Sequence, residues 1–173
     1  VKIKPFFYGG SQEGRRRAGT ENVAGIVGLA KALQLAHEER EQESKRLSEM
    51  RDYMIREIQK RITRVVLNGD SENRLPNNVN VSILDIEGEA VILYLDAHGI
   101  ACSTGSACTS ESLDPSHVIL ALGKPYEYAH ASIRFTLGRG TTKDDIDHLL
   151  TILPDVVSTL RKISPIHVEE DAT

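Results

Sequence analysis

Residues 131–163 run ASIRFTLGRGTTKDDIDHLLTILPDVVSTLRKI, and the fold turns on how they are read. Ala131 to Leu137 reads as a strand, and Gly138 to Thr142 as the turn that ends it. Thr142 followed three residues later by Asp145 is an N-cap pattern. Beyond it Ile146, Leu149, Leu150, Leu153, Val156, Val157, Leu160 and Ile163 recur at helical spacing as a buried stripe. Pro154 is expected to bend that helix, and Ser164-Pro165 to end it.

Moving toward the amino terminus, Pro115 is expected to open a short helix with Val118, Ile119 and Leu122 inward and Gly123 at its end. Residues 103–113 are small and polar without apolar period, which predicts a loop. Ile100 to Cys102 predicts a short strand, and Glu87 to His98 a helix closed by a left-handed Gly99. Asn78 to Leu84 is a strand with polar alternation at Asn80 and Ser82; Val65 to Leu67 is another, separated from it by a turn at Asn68-Gly69-Asp70. Two helical stripes precede these, one from Val23 to Ala36 and one from Leu47 to Ile62, read as helices joined with a bend. Val1 to Tyr8 reads as a strand running into a glycine-rich loop that extends to Thr20. Short strands alternating with helices, without β-α-β regularity, predict an α+β layer of helices on a mostly antiparallel sheet.

Composition narrows the function. With 173 residues, 40% hydrophobic and 27% charged, the chain can bury one core, and a net charge of −4 leaves no basic excess for nucleic acid or an anionic membrane. No apolar run is long enough to span a bilayer and no signal pattern opens the chain, so a cytoplasmic protein is expected. Arg15, Arg16 and Arg17 read as a solvated charge run, and His117 and His130 as structural.

The two cysteines, Cys102 and Cys108, lie in one Ser/Thr/Gly-rich stretch and not in a disulfide framework. Cys102, at the end of an apolar strand, reads as a small core residue. Cys108 sits inside the polar loop, where a thiol can ionise and reach a substrate; by itself it reads equally as a nucleophile or an ordinary surface thiol. Two cysteines six residues apart offer too few ligands for a closed metal site, so none is expected. Arg134, taken alone, reads as a partner in a surface salt bridge.

Three segments carry a resemblance. STGSACTS at 103–110 followed by LDPSHV at 113–118, SIRFTLGR at 132–139, and GGSQE at 9–13 with RAGTEN at 17–22 are similar, in order and spacing, to the signatures of NifS/IscS-type cysteine desulfurases of the class V aminotransferase family. Ser11 stands where that family commonly has a third glycine, and Gly14-Arg15 reorders its loop.

The resemblance implies a fold-type I enzyme dependent on pyridoxal phosphate, of which this chain is the small C-terminal domain with a long connecting helical arm. Residues 1–22 would end the large cofactor domain, 23–62 would be the connecting helices, and 63–173 the small domain with its catalytic loop at 103–113. Cys108 would be the thiolate that takes sulfur from L-cysteine, releasing L-alanine and leaving a persulfide for an acceptor such as an iron-sulfur scaffold protein or for tRNA thiolation. Arg134 would bind the substrate carboxylate through two parallel hydrogen bonds, and Thr20 the cofactor phosphate of the second subunit of a homodimer. The family's cofactor lysine follows a histidine, and no His-Lys dipeptide occurs here. The chain is therefore expected to be a fragment, inactive by itself, whose cofactor is held mainly by a missing N-terminal domain. Two alternatives stay open: a stand-alone sulfur carrier or protein-interaction domain without cofactor, and a selenocysteine lyase or aminotransferase relative.

Overall fold

Pro5 has no N–H to donate, which disfavours the strand expected over residues 1–8. In the computed structural model, which describes residues 4–104 and 115–167, Lys4 to Tyr8 is irregular. The chain divides into two compact units, Val1–Glu41 and Gln42–Thr173.

In the first unit the glycine-rich segment forms a small hairpin, β1 (Ser11–Gln12) paired antiparallel with β2 (Arg17–Ala18). Arg15, Arg16 and Arg17 are exposed on it, as a solvated charge run should be. Asn22 then starts α1 (Val23–Arg61): its side-chain Oδ1 accepts from the Gly25 N–H at 2.9 Å. The structure replaces the expected pair of helices with this single helix of 39 residues. The physical reason is local. The segment has no proline, and its charged centre is rich in Glu, Gln, Arg and Lys, which favour helix; pairs such as Gln34–Glu38, Glu43–Arg46 and Glu57–Arg61 brace successive turns. Val23, Ile26, Val27, Leu29 and Leu33 on its first half are exposed.

The second unit contains the rest of α1, then β3 (Val65–Leu67), β4 (Asn78–Ile83), α2 (Gly88–Asp96), β5 (Ser103–Thr104), α3 (His117–Ala121), α4 (Tyr126–His130), β6 (Ser132–Thr136) and α5 (Lys143–Ile163). Its sheet has the order β3-β4-β6-β5, and each neighbouring pair is antiparallel. One face of the sheet is the core side: Val79, Val81, Ile83, Ile133 and Phe135 pack with Leu47, Met54 and Ile58 of α1, Val91 and Leu95 of α2, and the stripe of α5. That architecture is the α+β arrangement read from the sequence.

Several local expectations change. Gly99 does adopt a left-handed φ of +75°, but the Ile100 N–H then turns back to the Leu95 carbonyl, so the strand starts later, at Ser103. Val118 and Leu122 are 56% and 48% exposed, leaving Ile119 as the inward residue of α3, because a helix of five residues presents too little face to bury all three. A second short helix, α4, follows Pro125 without having been anticipated. The stripe of α5 is buried from Ile146 to Leu160, and Ile163 lies past the core at 69% exposure. The Thr142 capping box is present in both directions, and helix continues through Pro154.

Gly88 explains how α2 approaches the sheet. A Cβ there would meet the Ser132 carbonyl at 2.7 Å and the His130 carbonyl at 3.0 Å, so the helix start can rest on the backbone entering β6 only without a side chain. The turn after β6 is held by Arg46, whose guanidinium donates to the carbonyls of Gly138, Arg139 and Thr141 while pairing with Glu43. Among the described residues, no helix is long and apolar enough to cross a membrane.

Candidate functional site

Strand alternation gives this sheet two chemistries. Opposite the apolar face, the register sets Asn78 against Thr136, Asn80 against Arg134, and Ser82 against Ser132, with Ser103 on the far side of Arg134. One end of this polar face lies under α4, where Ser82 Oγ donates to the Tyr128 carbonyl and Ser132 Oγ to the Ala129 carbonyl, each at 2.7 Å. Arg134 lies one step further along, half-buried.

Among the described residues the Arg134 guanidinium forms neither an ion pair nor a hydrogen bond, in contrast with the surface salt bridge that an arginine alone would suggest. A half-desolvated guanidinium with no partner among the described residues, held on a central strand, has the donors to bind a planar anion such as a carboxylate. Arg46, Arg51 and Arg161, in contrast, have their donors committed to backbone carbonyls of this unit.

Beside Arg134 runs a chain of amides and a hydroxyl. Asn68, 4% exposed, donates from Nδ2 to Asn80 Oδ1 and to Ser82 Oγ, both at 2.8 Å, while its own Oδ1 is buried without a hydrogen-bond partner. The polar alternation of β4 marked Asn80 and Ser82 in the sequence. Asn68 was legible only as a turn residue, since nothing local reveals that it folds back across the strand.

Cys108 and the loop around it, residues 105–114, lie outside the described residues. Cys102 is described: it is a free, half-buried thiol packed against the main core. Burial, and secondarily the negative charge of Asp96, push its pKa up from 9.0 to about 11. That agrees with the reading of Cys102 as a small core residue. His117 is exposed, and His130 is half-buried, its ring 4.5 Å from that of Tyr126.

Thr20 belongs to the first unit. It is exposed, two residues before the Asn22 that caps α1, and its carbonyl accepts from the Arg17 guanidinium at 3.4 Å. A hydroxyl and a guanidinium just ahead of a long helix's amino end form a donor set of the kind that suits a phosphate ester. Among the described residues, no group of acidic, histidine or cysteine side chains could hold a metal ion.

The family model described as aminotransferase class-V matches residues 5–149. The chain belongs to the aminotransferase class-V family. Within that family it is 56% identical over 165 residues to "Cysteine desulfurase IscS" of Dictyoglomus turgidum, covering 95% of this chain and 42% of that protein. It is 52% identical over 168 residues to "Cysteine desulfurase IscS" of Clostridium botulinum strain Hall, covering 96% of this chain and again 42% of the relative. A solved structure, "NIFS-LIKE PROTEIN", superimposes with a TM-score of 0.78 at 29% identity, over 92% of this chain and 40% of that one. This class-V chain thus spans about two fifths of the length of the relatives it matches, and its α+β fold is part of theirs.

Proposed function

We propose that this chain is the C-terminal part of a cysteine desulfurase, which converts L-cysteine to L-alanine and stores the sulfur as a persulfide on Cys108. The observation that carries the reading is Arg134: a half-buried guanidinium, unpartnered among the described residues, on the polar sheet face beside the strand that leads into the cysteine-bearing segment. The names of its relatives support the same reaction. Cys108 follows Thr104 by four residues, so the covalent chain can carry it at most about 14 Å from β5.

In this reading Arg134 holds the substrate carboxylate with two parallel charge-assisted hydrogen bonds and so fixes which way the sulfur points. The Cys108 thiolate attacks that sulfur. A sulfur–sulfur bond forms, the carbon–sulfur bond breaks with its electron pair going to carbon, and protonation of that carbon gives alanine. Pyridoxal phosphate, the family's cofactor, supplies the electron-withdrawing ring that makes such a carbon able to accept the pair. Thr20, with Arg17 beside it, would hold the phosphate end, contributed into the site of a second subunit. Residues 1–22 would complete the large cofactor domain, 23–62 the connecting arm, and 63–173 the small domain. The persulfide would pass to an acceptor protein such as an iron-sulfur scaffold in the cytoplasm. The 173-residue chain alone would not turn over.

The test uses the full-length enzyme. Cys108→Ser is expected to abolish alanine formation from L-cysteine and the added sulfur on the residue-108 peptide, while Cys102→Ser retains both. Undiminished alanine formation with Cys108→Ser would sink the proposal, and turnover by the 173-residue chain alone would overturn its expected inactivity.

A further inference from the structure

The hydrogen-bond chain beside Arg134 has a direction, and the direction has a use. The Ser82 hydroxyl owns one proton and gives it to the Tyr128 carbonyl at 2.7 Å, so the group facing its lone pair has to be a donor. That fixes the Asn68 amide with its Nδ2 toward Ser82 and, through its second proton, toward Asn80 Oδ1. Asn68 Oδ1 is left buried without a partner, the cost of pointing both protons one way. Asn80 therefore has its oxygen occupied, and the free end of its amide is Nδ2, which donates to none of the described residues. In the register Asn80 is directly opposite Arg134 on the same face, where side-chain Cβ atoms are about 5 Å apart. A guanidinium carries donors only, and so does the free end of this amide; neither can capture the other.

We propose that Asn68 and Asn80 are positioning residues that keep the Arg134 guanidinium unpaired, so that it meets an incoming carboxylate with all its donors available. The inference rests on the reading of Arg134 as the carboxylate-binding group. Without Asn68, the Asn80 amide is free to turn its oxygen toward Arg134, where it competes with the substrate. The loss is then one of binding and not of chemistry at saturation.

The full-length enzyme with its cofactor is assayed for L-cysteine turnover and, separately, for equilibrium binding of L-alanine, with a thermal midpoint for each variant. Asn68→Ala is expected to raise KM and the alanine dissociation constant about tenfold with kcat within about twofold, the size of one neutral acceptor competing for a guanidinium. Removing the competitor as well, in Asn68→Ala/Asn80→Ala, is expected to return both constants to within about threefold of the parent. Asn80→Asp keeps an oxygen for Asn68 and sets a second, charged one toward Arg134; it is expected to weaken carboxylate binding at least as much as Asn68→Ala, without lowering the thermal midpoint. Rescue by the double variant is not an outcome a purely structural role can give. The proposal is overturned if the double variant binds as poorly as Asn68→Ala or worse, or if Asn80→Asp leaves KM and alanine binding unchanged. Arg134→Met separates the two readings: if alanine binding survives it, the assignment of Arg134 fails, whereas strong loss there with no effect at Asn68 and Asn80 removes only the positioning role.

Discussion

The Cys102 thiol offers a quantitative check on the division of labour between the two cysteines. Its pKa is pushed from 9.0 to about 11, first by burial and then by Asp96. Only the thiolate reacts with an alkylating agent, so at pH 8 the reactive fraction falls from roughly one in ten to roughly one in a thousand, about a 100-fold slowing relative to an unperturbed thiol. The measurement is the rate of iodoacetamide labelling of the Cys102 peptide by mass spectrometry, in the native chain and in the same chain unfolded in urea, from pH 7 to 11. The native rate is expected to climb with a midpoint near pH 11 and the unfolded rate with one near 9. The midpoint separates ionisation from simple obstruction, since blocked access lowers the rate at every pH without moving the curve. Linkage adds a second signature: the folded state holds this proton more tightly, so its stabilising effect is complete below about pH 9 and is lost as pH rises toward 11. Native labelling at pH 8 within threefold of the unfolded rate, with a midpoint near 9, would refute the burial argument and remove the reason for assigning Cys102 to the core.

Two further outcomes test the frame around the site. Leu153→Ala, at a fully buried position of α5, is expected to lower stability by about 2–5 kcal/mol in chemical denaturation, because the core can close only partly over the lost side chain. Thr142→Ala removes the hydroxyl that accepts from the Asp145 N–H and is expected to lower stability by about 1 kcal/mol at neutral pH. Hydrogen bonds from the Thr142 backbone and hydroxyl hold the Asp145 carboxyl below its ordinary 3.8, so that contribution is present above about pH 4 and lost as pH falls through the folded value. The stability difference between Thr142→Ala and the parent is therefore expected to narrow in acid.

The sequence revealed most where side-chain pattern and backbone need coincide. The stripe from Ile146 to Leu160, the capping box at Thr142 and the left-handed Gly99 are local signals, and all three are found in the structure. Misreadings fell where a tertiary partner or a competing hydrogen bond decides. The Ile100 N–H closes α2 instead of joining the sheet, Val118 sits on a helix too short to bury it with Leu122 just past its end, and Ile163 extends a correct period past the edge of the core. Nor could periodicity alone tell one long helix from two: the change from apolar to charged composition near Glu38 alters what the helix faces, not whether its backbone continues.

The candidate site was legible in its chemistry and not in its arrangement. Arg134 and the polar positions Asn80 and Ser82 could each be picked out along their strands, but the antiparallel register that sets Asn80 against Arg134 is a relation between segments more than fifty residues apart. Asn68 is further hidden, because its role depends on which end of an amide faces which neighbour, and that is fixed by a single hydroxyl proton on Ser82 given to a carbonyl of α4. The same sheet can thus serve two ends with one alternation. Its odd face is closed by α1, α2 and α5 into an apolar core that tolerates no unpaired polar group, while its even face holds one guanidinium with no acceptor among the described residues. A half-buried cation without a partner among the described residues adds nothing to folding, and its place on a strand hydrogen-bonded on both sides is what supports the proposed role of Arg134 in binding a carboxylate.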